Sequence, residues 1–180
     1  MYLGDILALS QKGPVGKLNY SVELPQANSV ERILNIVIQV GKGLKNKDQL
    51  DCLSDVSDRQ KDYYVEAAIY LGFLSGSSDG LRLSDVGLLF SESEQSEKIE
   101  ILIRQMFGMH CLKTCFQELV TSGQRPSERE IAATSSRLQD LIRVDEILGA
   151  THRPYSDVTI GRRAEGVQSW LRWIFGQATK

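Results

Sequence analysis

The stretch Ser57-Asp-Arg-Gln-Lys-Asp-Tyr-Tyr-Val-Glu-Ala-Ala-Ile-Tyr-Leu-Gly-Phe-Leu74 decides how the rest of the chain is read. It opens on Ser-Asp, whose side chains accept the first unpaired backbone N–H groups of a helix. Tyr64, Ala67, Ala68, Leu71 and Leu74 recur at helical spacing and so share one face. Arg59, Gln60, Lys61 and Tyr63 fall off that face, in the first turns. The helix is expected to stop near Gly72. A Gly/Ser/Asp turn from Ser75 to Gly80 then leads into Leu81-Arg-Leu83.

Upstream, Met1 to Leu9 is weakly apolar and reads as a short helix. Gln11 to Gln26 holds Gly13, Pro14, Gly16 and Pro25 and reads as an extended arm with an edge strand around Leu18–Leu24. Asn28-Ser-Val-Glu31 is a cap. Ile33, Leu34, Val37, Ile38 and Val40 follow on one predicted face, up to a stop at Gly41-Lys-Gly43. Asn46 caps a second short helix through Leu50 and Leu53, and Ser54–Val56 breaks the chain before the third. Three helices followed by a hairpin predict a winged helix-turn-helix, whose third helix reads a duplex and whose hairpin is the wing.

Downstream, Ser84-Asp85 caps a helix over Val86–Phe90, and the acidic run Glu92–Glu97 reads as a seam between modules. Apolar helical spacing runs from Ile99 to Met109 and continues through Leu112, Phe116, Leu119 and Val120. Ser127 and Glu130 form a capping box. Leu138, Leu141 and Ile142 mark another helix, which His152-Arg-Pro-Tyr155 breaks. The last helix is predicted over about Gly161–Phe175. The expected fold class is therefore mainly α with short β-hairpin wings. Its expected domains are an N-terminal arm over 1–26, a first winged-helix domain over 27–94 and a second helix-turn-helix domain over 95–180.

The totals exclude more than they assign. The chain has 180 residues, 42% hydrophobic and 24% charged, with a formal net charge of −2. No apolar run reaches a membrane span, and no basic segment precedes an apolar core at the N-terminus, so a cytoplasmic protein is expected. Cys52, Cys111 and Cys115 are an odd set, which suits a reducing compartment rather than a disulfide scaffold. Near-neutral charge does not announce nucleic-acid binding. Basic residues nonetheless gather at Lys42–Lys47, Arg59–Lys61 and Arg153–Arg172.

A shift of 103 residues sets Arg59-Gln60 on Arg162-Arg163, Tyr64 on Val167, Ala67-Ala68 on Trp170-Leu171 and Leu71 on Ile174. Inward positions meet inward positions, which predicts a tandem pair of units with Arg in the first turn of each closing helix. Trp170 and Trp173 fall at apolar positions and are expected in the core.

The motif Arg-Gln-x-x-Tyr-Tyr-x-x-Ala-x-x-Tyr-Leu-Gly, followed by Leu-Arg-Leu-Ser-Asp-x-Gly, resembles a winged-helix unit of bacterial proteins. Such units occur in the DNA-recognition portions of type II restriction endonucleases and related defence proteins. The later Arg-Arg-x-x-x-Val-x-Ser-Trp-Leu-x-Trp-Ile is similar to the segment closing a second unit, and the resemblance covers roughly Pro25 to Gly176. It implies that double-stranded DNA is contacted by Arg59, Gln60, Lys61 and Tyr63 from the first unit, and by Arg162, Arg163 and Gln168 from the second. Arg and Gln suit guanine and adenine edges, whereas Lys42, Lys45 and Lys47 suit phosphates and Arg82 on the wing suits either. Asp58, Asp62 and Glu165 count against this, since carboxylates repel phosphate.

Catalytic chemistry is missing from the pattern. No acidic residue is followed at a distance by acidic-x-Lys on a strand, the usual nuclease arrangement for Mg²⁺. Asp140 with Asp145-Glu146 is the one dense acidic cluster of the second half, and it lacks a lysine. Cys111 and Cys115 lie one helical turn apart, but His110, His152 and Cys52 are the only further ligands, and buried Cys is more often a small apolar residue. Neither enzyme activity nor a metal or other cofactor is expected. The leading expectation is a non-catalytic duplex-DNA-binding module of a restriction or defence system, partnered with a nuclease domain or subunit. The alternatives are a winged-helix scaffold for protein interaction or homodimerisation, and a small-molecule-responsive repressor.

Overall fold

Serine side chains cap the helices that begin at Val30, Asp58, Asp85, Glu128 and Asp157, and Gly43 and Gly72 end the first two of these. The computed structural model describes residues 1–77, 80–149 and 155–179, with backbone only over 146–149. The predicted break at His152, Arg153 and Pro154 lies outside the described residues, as do Ser78 and Asp79 of the predicted turn. The chain is mainly helical. Among the described residues its strands form one two-stranded antiparallel sheet. No helix among them is long and apolar enough to cross a membrane.

Contacts divide the chain into two compact units, Val15–Leu102 and Met1–Pro14 with Ile103–Lys180. In the first, α2 (Val30–Gly41) starts where Ser29 accepts the Arg32 N–H. It ends on Gly43, whose φ of 100° suits glycine. The Gly43 N–H donates to Val40 O and the Leu44 N–H to Gln39 O, so the last carbonyls of α2 are satisfied by a Schellman motif. The expected short helix is instead two 3₁₀ turns, Lys47–Gln49 and Asp51–Leu53, the first capped by Asn46. Six residues with a break between Gln49 and Asp51 are too few to propagate an α-helix.

The opening stretch forms α3 (Asp58–Tyr70). Its stop is a second Schellman motif, with Gly72 at φ 77°, the Gly72 N–H on Ile69 O and the Phe73 N–H on Ala68 O. The chain then turns into β1 (Leu74–Ser75) and β2 (Arg82–Leu83), with Leu74 opposite Leu83 and Ser75 opposite Arg82. Ser84 caps α4 (Asp85–Glu92), and α5 (Gln95–Met106) follows. The division between the units falls within α5. The predicted edge strand over Leu18–Leu24 is absent from the strands among the described residues; that segment is extended and turning backbone.

The core of this unit is Ile33, Ile36, Val37 and Val40 of α2 against Tyr64, Ala67, Ala68 and Leu71 of α3. Phe73 and Phe90 meet edge to face at 5.2 Å. The predicted face of α2 was partly mis-phased: Ile36 is buried and Ile38 is exposed. The run Ile36-Val37-Ile38 is apolar throughout, so spacing alone leaves its phase open. Arg32 locks α2 to the loop before α3, donating to both Asp55 carboxylate oxygens at 2.6 and 2.7 Å and to Cys52 O at 3.1 Å. The Tyr64 hydroxyl donates to Asn28 Oδ1 at 2.6 Å.

In the other unit, α1 (Leu3–Gln11) packs on α6 (His110–Leu119), and Gln117 donates to Ser10 Oγ. The Thr179 N–H donates to Met1 O at 2.8 Å, joining the two ends of the chain. Ser127 and Glu130 form the predicted capping box of α7 (Glu128–Ala133). The helices α8 (Ser135–Gly149) and α9 (Asp157–Gly176) then pack on each other and on α6. Trp170 is fully buried, Trp173 half-buried, and Phe116 stacks on Phe175 at 5.1 Å.

Candidate nucleic-acid interface

The N-terminal turn of α3 is built from its cap outward. Ser57 Oγ accepts the Gln60 N–H, and Gln60 Oε1 accepts the Ser57 N–H at 3.1 Å. The Gln60 side chain, expected to reach a base, therefore serves the cap of its own helix. Arg59, one residue earlier, is exposed. Its Nε donates to the Tyr63 hydroxyl at 2.7 Å, and its guanidinium sits 5.6 Å from the Tyr63 ring centroid. Residues four apart on a helix are neighbours, so this contact follows from the spacing. It ties the exposed arginine to its own helix.

The lysines differ. Lys61 lies 3.0 Å from Asp58 and 3.6 Å from Asp48, and Lys47 is bonded to the Asp62 carboxylate. Their side chains are only 17% and 18% exposed, far less than a solvated lysine. The hydrogen bond to Asp58 raises the Lys61 ammonium above its usual range and holds Asp58 below the ordinary carboxylate range. Asp62 does the same for Lys47. Each of these ammonium groups is engaged by a carboxylate. Carboxylates beside the first turn were legible in the sequence, but the Lys47–Asp62 pair joins residues 15 apart in the chain and had no local signal.

Lys45 is exposed, and its carbonyl accepts the Leu81 N–H at 2.8 Å. That bond sets a third extended segment beside the hairpin. Arg82, the next residue along, is exposed on β2. Lys42 is exposed just past the end of α2. Of the basic residues expected at the duplex, Arg59, Lys42, Lys45 and Arg82 of this unit are exposed, with Tyr63 half-buried beside Arg59.

The second unit departs from the expected copy. Ser156 caps α9 by accepting the Thr159 N–H, so the helix begins at Asp157 and not near Gly161. Arg162 and Arg163 therefore lie in its second turn, whereas Arg59 lies in the first turn of α3. The aligned inward positions Val167, Trp170, Leu171 and Ile174 are all buried, as are Tyr64, Ala67, Ala68 and Leu71. The predicted outward set holds only for Arg162, which is exposed. Arg163 is 3% exposed, its guanidinium 4.0 Å from the Tyr155 ring centroid. Gln168 is 7% exposed and donates from Nε2 to Ile131 O and Ala132 O at 3.1 Å, closing the C-terminal end of α7. Both are corrected to interior residues. Each sits on the turn that α9 presses against its neighbours, and partners 36 and 37 residues away leave no trace in local spacing.

The remaining candidate groups are accounted for by packing. Cys111 and Cys115 are buried, and burial pushes the Cys115 thiol up to about 12 and raises the Cys111 thiol well above its usual range. His110 Nδ1 meets Asp145 Oδ1 at 2.8 Å, and Asp145 Oδ2 accepts the Cys111 N–H at 3.0 Å. Asp145 thereby caps α6, whose own N-cap residue is Met109. Asp140 meets Arg143, and His152 lies outside the described residues. Among the described residues no group of three or more His, Cys, Asp or Glu is placed to hold a metal ion.

The class that fold and site define is a mainly helical protein with a capped helix, an exposed arginine held on a tyrosine in its first turn, and a two-stranded hairpin after that helix. Residues 32–179 match the domain of unknown function DUF7226, and the chain belongs to that family. Neither the curated proteins nor the solved structures contain a match to it.

Proposed function

We propose that the chain is a non-catalytic reader of duplex DNA, in which the unit Val15–Leu102 is a winged helix-turn-helix and α3 is the recognition helix. The observation that carries this reading is the arrangement around the first turn of α3. Arg59 is exposed and pre-oriented on Tyr63, and the hairpin that follows α3 exposes Arg82. The order α2, 3₁₀ turns, α3, β1, β2 is the order of a winged helix, with the Lys45–Leu81 backbone bond in place of its third strand. In this reading Arg59 contacts a base edge, Arg82 and Lys45 contact phosphates, and Arg162 is the one contribution from the predicted second set. A recognition role in a restriction or defence system, beside a separate nuclease, is the context that the resemblance favours.

Protein docking is the second reading, and charge favours it. The unit Val15–Leu102 carries 9 basic and 14 acidic residues, and two of the nine bases are paired with carboxylates at α3 itself. The two readings separate in a binding assay with a mixed-sequence duplex library at 50 and 200 mM salt. A reader loses affinity with salt and is weakened by Arg59→Ala. A docking scaffold shows no salt-dependent duplex binding at micromolar protein.

A further inference from the structure

The pairing of Lys47 and Lys61 has a consequence for how such a surface discriminates. Both ammonium groups sit beside the first turn of α3, where phosphates of a bound duplex would lie. Each is engaged by carboxylates: Lys47 is held by Asp62 from α3, and Lys61 by Asp58 and Asp48. To reach a phosphate, either lysine must first leave these carboxylates. Among the described residues Arg59, two positions before Lys61, is paired with no carboxylate and is held by a neutral phenol instead.

Resting on the duplex-reading proposal, we infer that Asp58 and Asp62, with Asp48, are specificity determinants: they clamp Lys61 and Lys47 and withhold two phosphate contacts. Phosphate contacts raise affinity for every sequence alike, whereas base contacts discriminate. Neutralising the lysines in place lowers the background affinity and leaves Arg59 a larger share of the binding. The clamp also explains why lysines stand here at all: they stabilise the first turn of α3 by joining it to the 3₁₀ turn that contains Asp48.

The test is duplex binding by the full chain over a salt series, with a mixed-sequence duplex as probe. In the native background Lys47→Ala leaves the slope of log K against log salt unchanged, because Lys47 touches no phosphate. Asp62→Asn, which keeps size and hydrogen bonding, steepens the slope by about 0.9, the increment for one phosphate neutralised. That gain disappears when Lys47→Ala is added. Asp58→Asn combined with Asp48→Asn behaves in the same way through Lys61. Persistence of the gain without the lysine would show a general charge effect and overturn the clamp. A native Lys47→Ala that itself reduces the slope by about 0.9 would also overturn it, while leaving the duplex reading intact. Absence of duplex binding in both the native chain and the Asp→Asn variants would overturn the reading and the clamp together. Binding by the variants alone, with none by the native chain, would overturn the duplex reading and the clamp that rests on it.

Discussion

Gly87 in α4 offers a sharp test of the packing, because two effects of known size oppose each other there. Replacing an interior helix glycine by alanine ordinarily stabilises by about 1 kcal/mol, through helix propensity. At Gly87 the added Cβ would lie 2.1 Å from the Phe73 carbonyl oxygen and 3.1 Å from its carbon. Ordinary carbon–oxygen contact is about 3.3 Å, so α4 must withdraw by about 1 Å from the end of α3. That movement pulls the Ser84 N–H from Phe73 O, now 3.0 Å away, and disturbs the Ser84 hydroxyl donated to Gly72 O. Overpacking costs about 1–3 kcal/mol and a lost hydrogen bond about 1 kcal/mol more. The clash outweighs the propensity, and Gly87→Ala is expected to destabilise by about 2 kcal/mol. Near 2–4 °C per kcal/mol for a chain of this size, calorimetry should show Tm lower by about 4–8 °C. Gly161→Ala in α9 is the matched control: nothing lies within 4 Å of its added Cβ, so Tm should rise by about 2–4 °C. A Gly87→Ala protein that melts at or above the native temperature would refute the close approach of α4 to Phe73.

Three further outcomes follow from the same contacts. Gln168→Leu should destabilise by about 1–3 kcal/mol in chemical denaturation, because it removes the donor shared by the Ile131 and Ala132 carbonyls; a neutral result would restore Gln168 to the surface. The Arg32 hydrogen bonds hold Asp55 at about 2, below its unfolded value of 3.8, so the stability from this pair is whole above about pH 4 and is lost as pH falls toward 2. The Tm difference between native protein and Asp55→Asn should then be constant from pH 5 upward and close by pH 2; a difference independent of pH would contradict the pairing. Iodoacetamide at pH 8 should modify half-buried Cys52 before buried Cys111 and Cys115 in the native protein, as mass spectrometry can read; equal rates at Cys52 and Cys115 would contradict the burial.

What the sequence made legible was local. Ser29, Ser57, Ser84 and Ser127 announce their helices because a cap and the N–H groups it satisfies lie within three residues. Gly43 and Gly72 announce stops, since each must adopt a positive φ. The start of α9 was missed although Ser156-Asp-Val-Thr159 carries a cap of the same kind; it lies directly after the predicted break at Pro154 and was absorbed into it. Pairings across the chain left no such mark. The N-terminal helix belongs with residues beyond 103, Gln168 closes a helix 36 residues away, and Lys47 meets Asp62. Of the expected contact residues, Arg59 and Tyr63 share a helix turn and were readable together; the lysines were readable as charges but not as neutralised ones.

The central claim is that the first turn of α3 reads duplex DNA through Arg59. Its most direct measurement is selection from a randomised duplex library by native protein and by Arg59→Ala, at fixed salt. The account predicts an enriched sequence for the native chain, and an affinity loss of about 1–3 kcal/mol with relaxed preference at one position for the variant. Equal enrichment by both proteins, or none by the native chain, would contradict it.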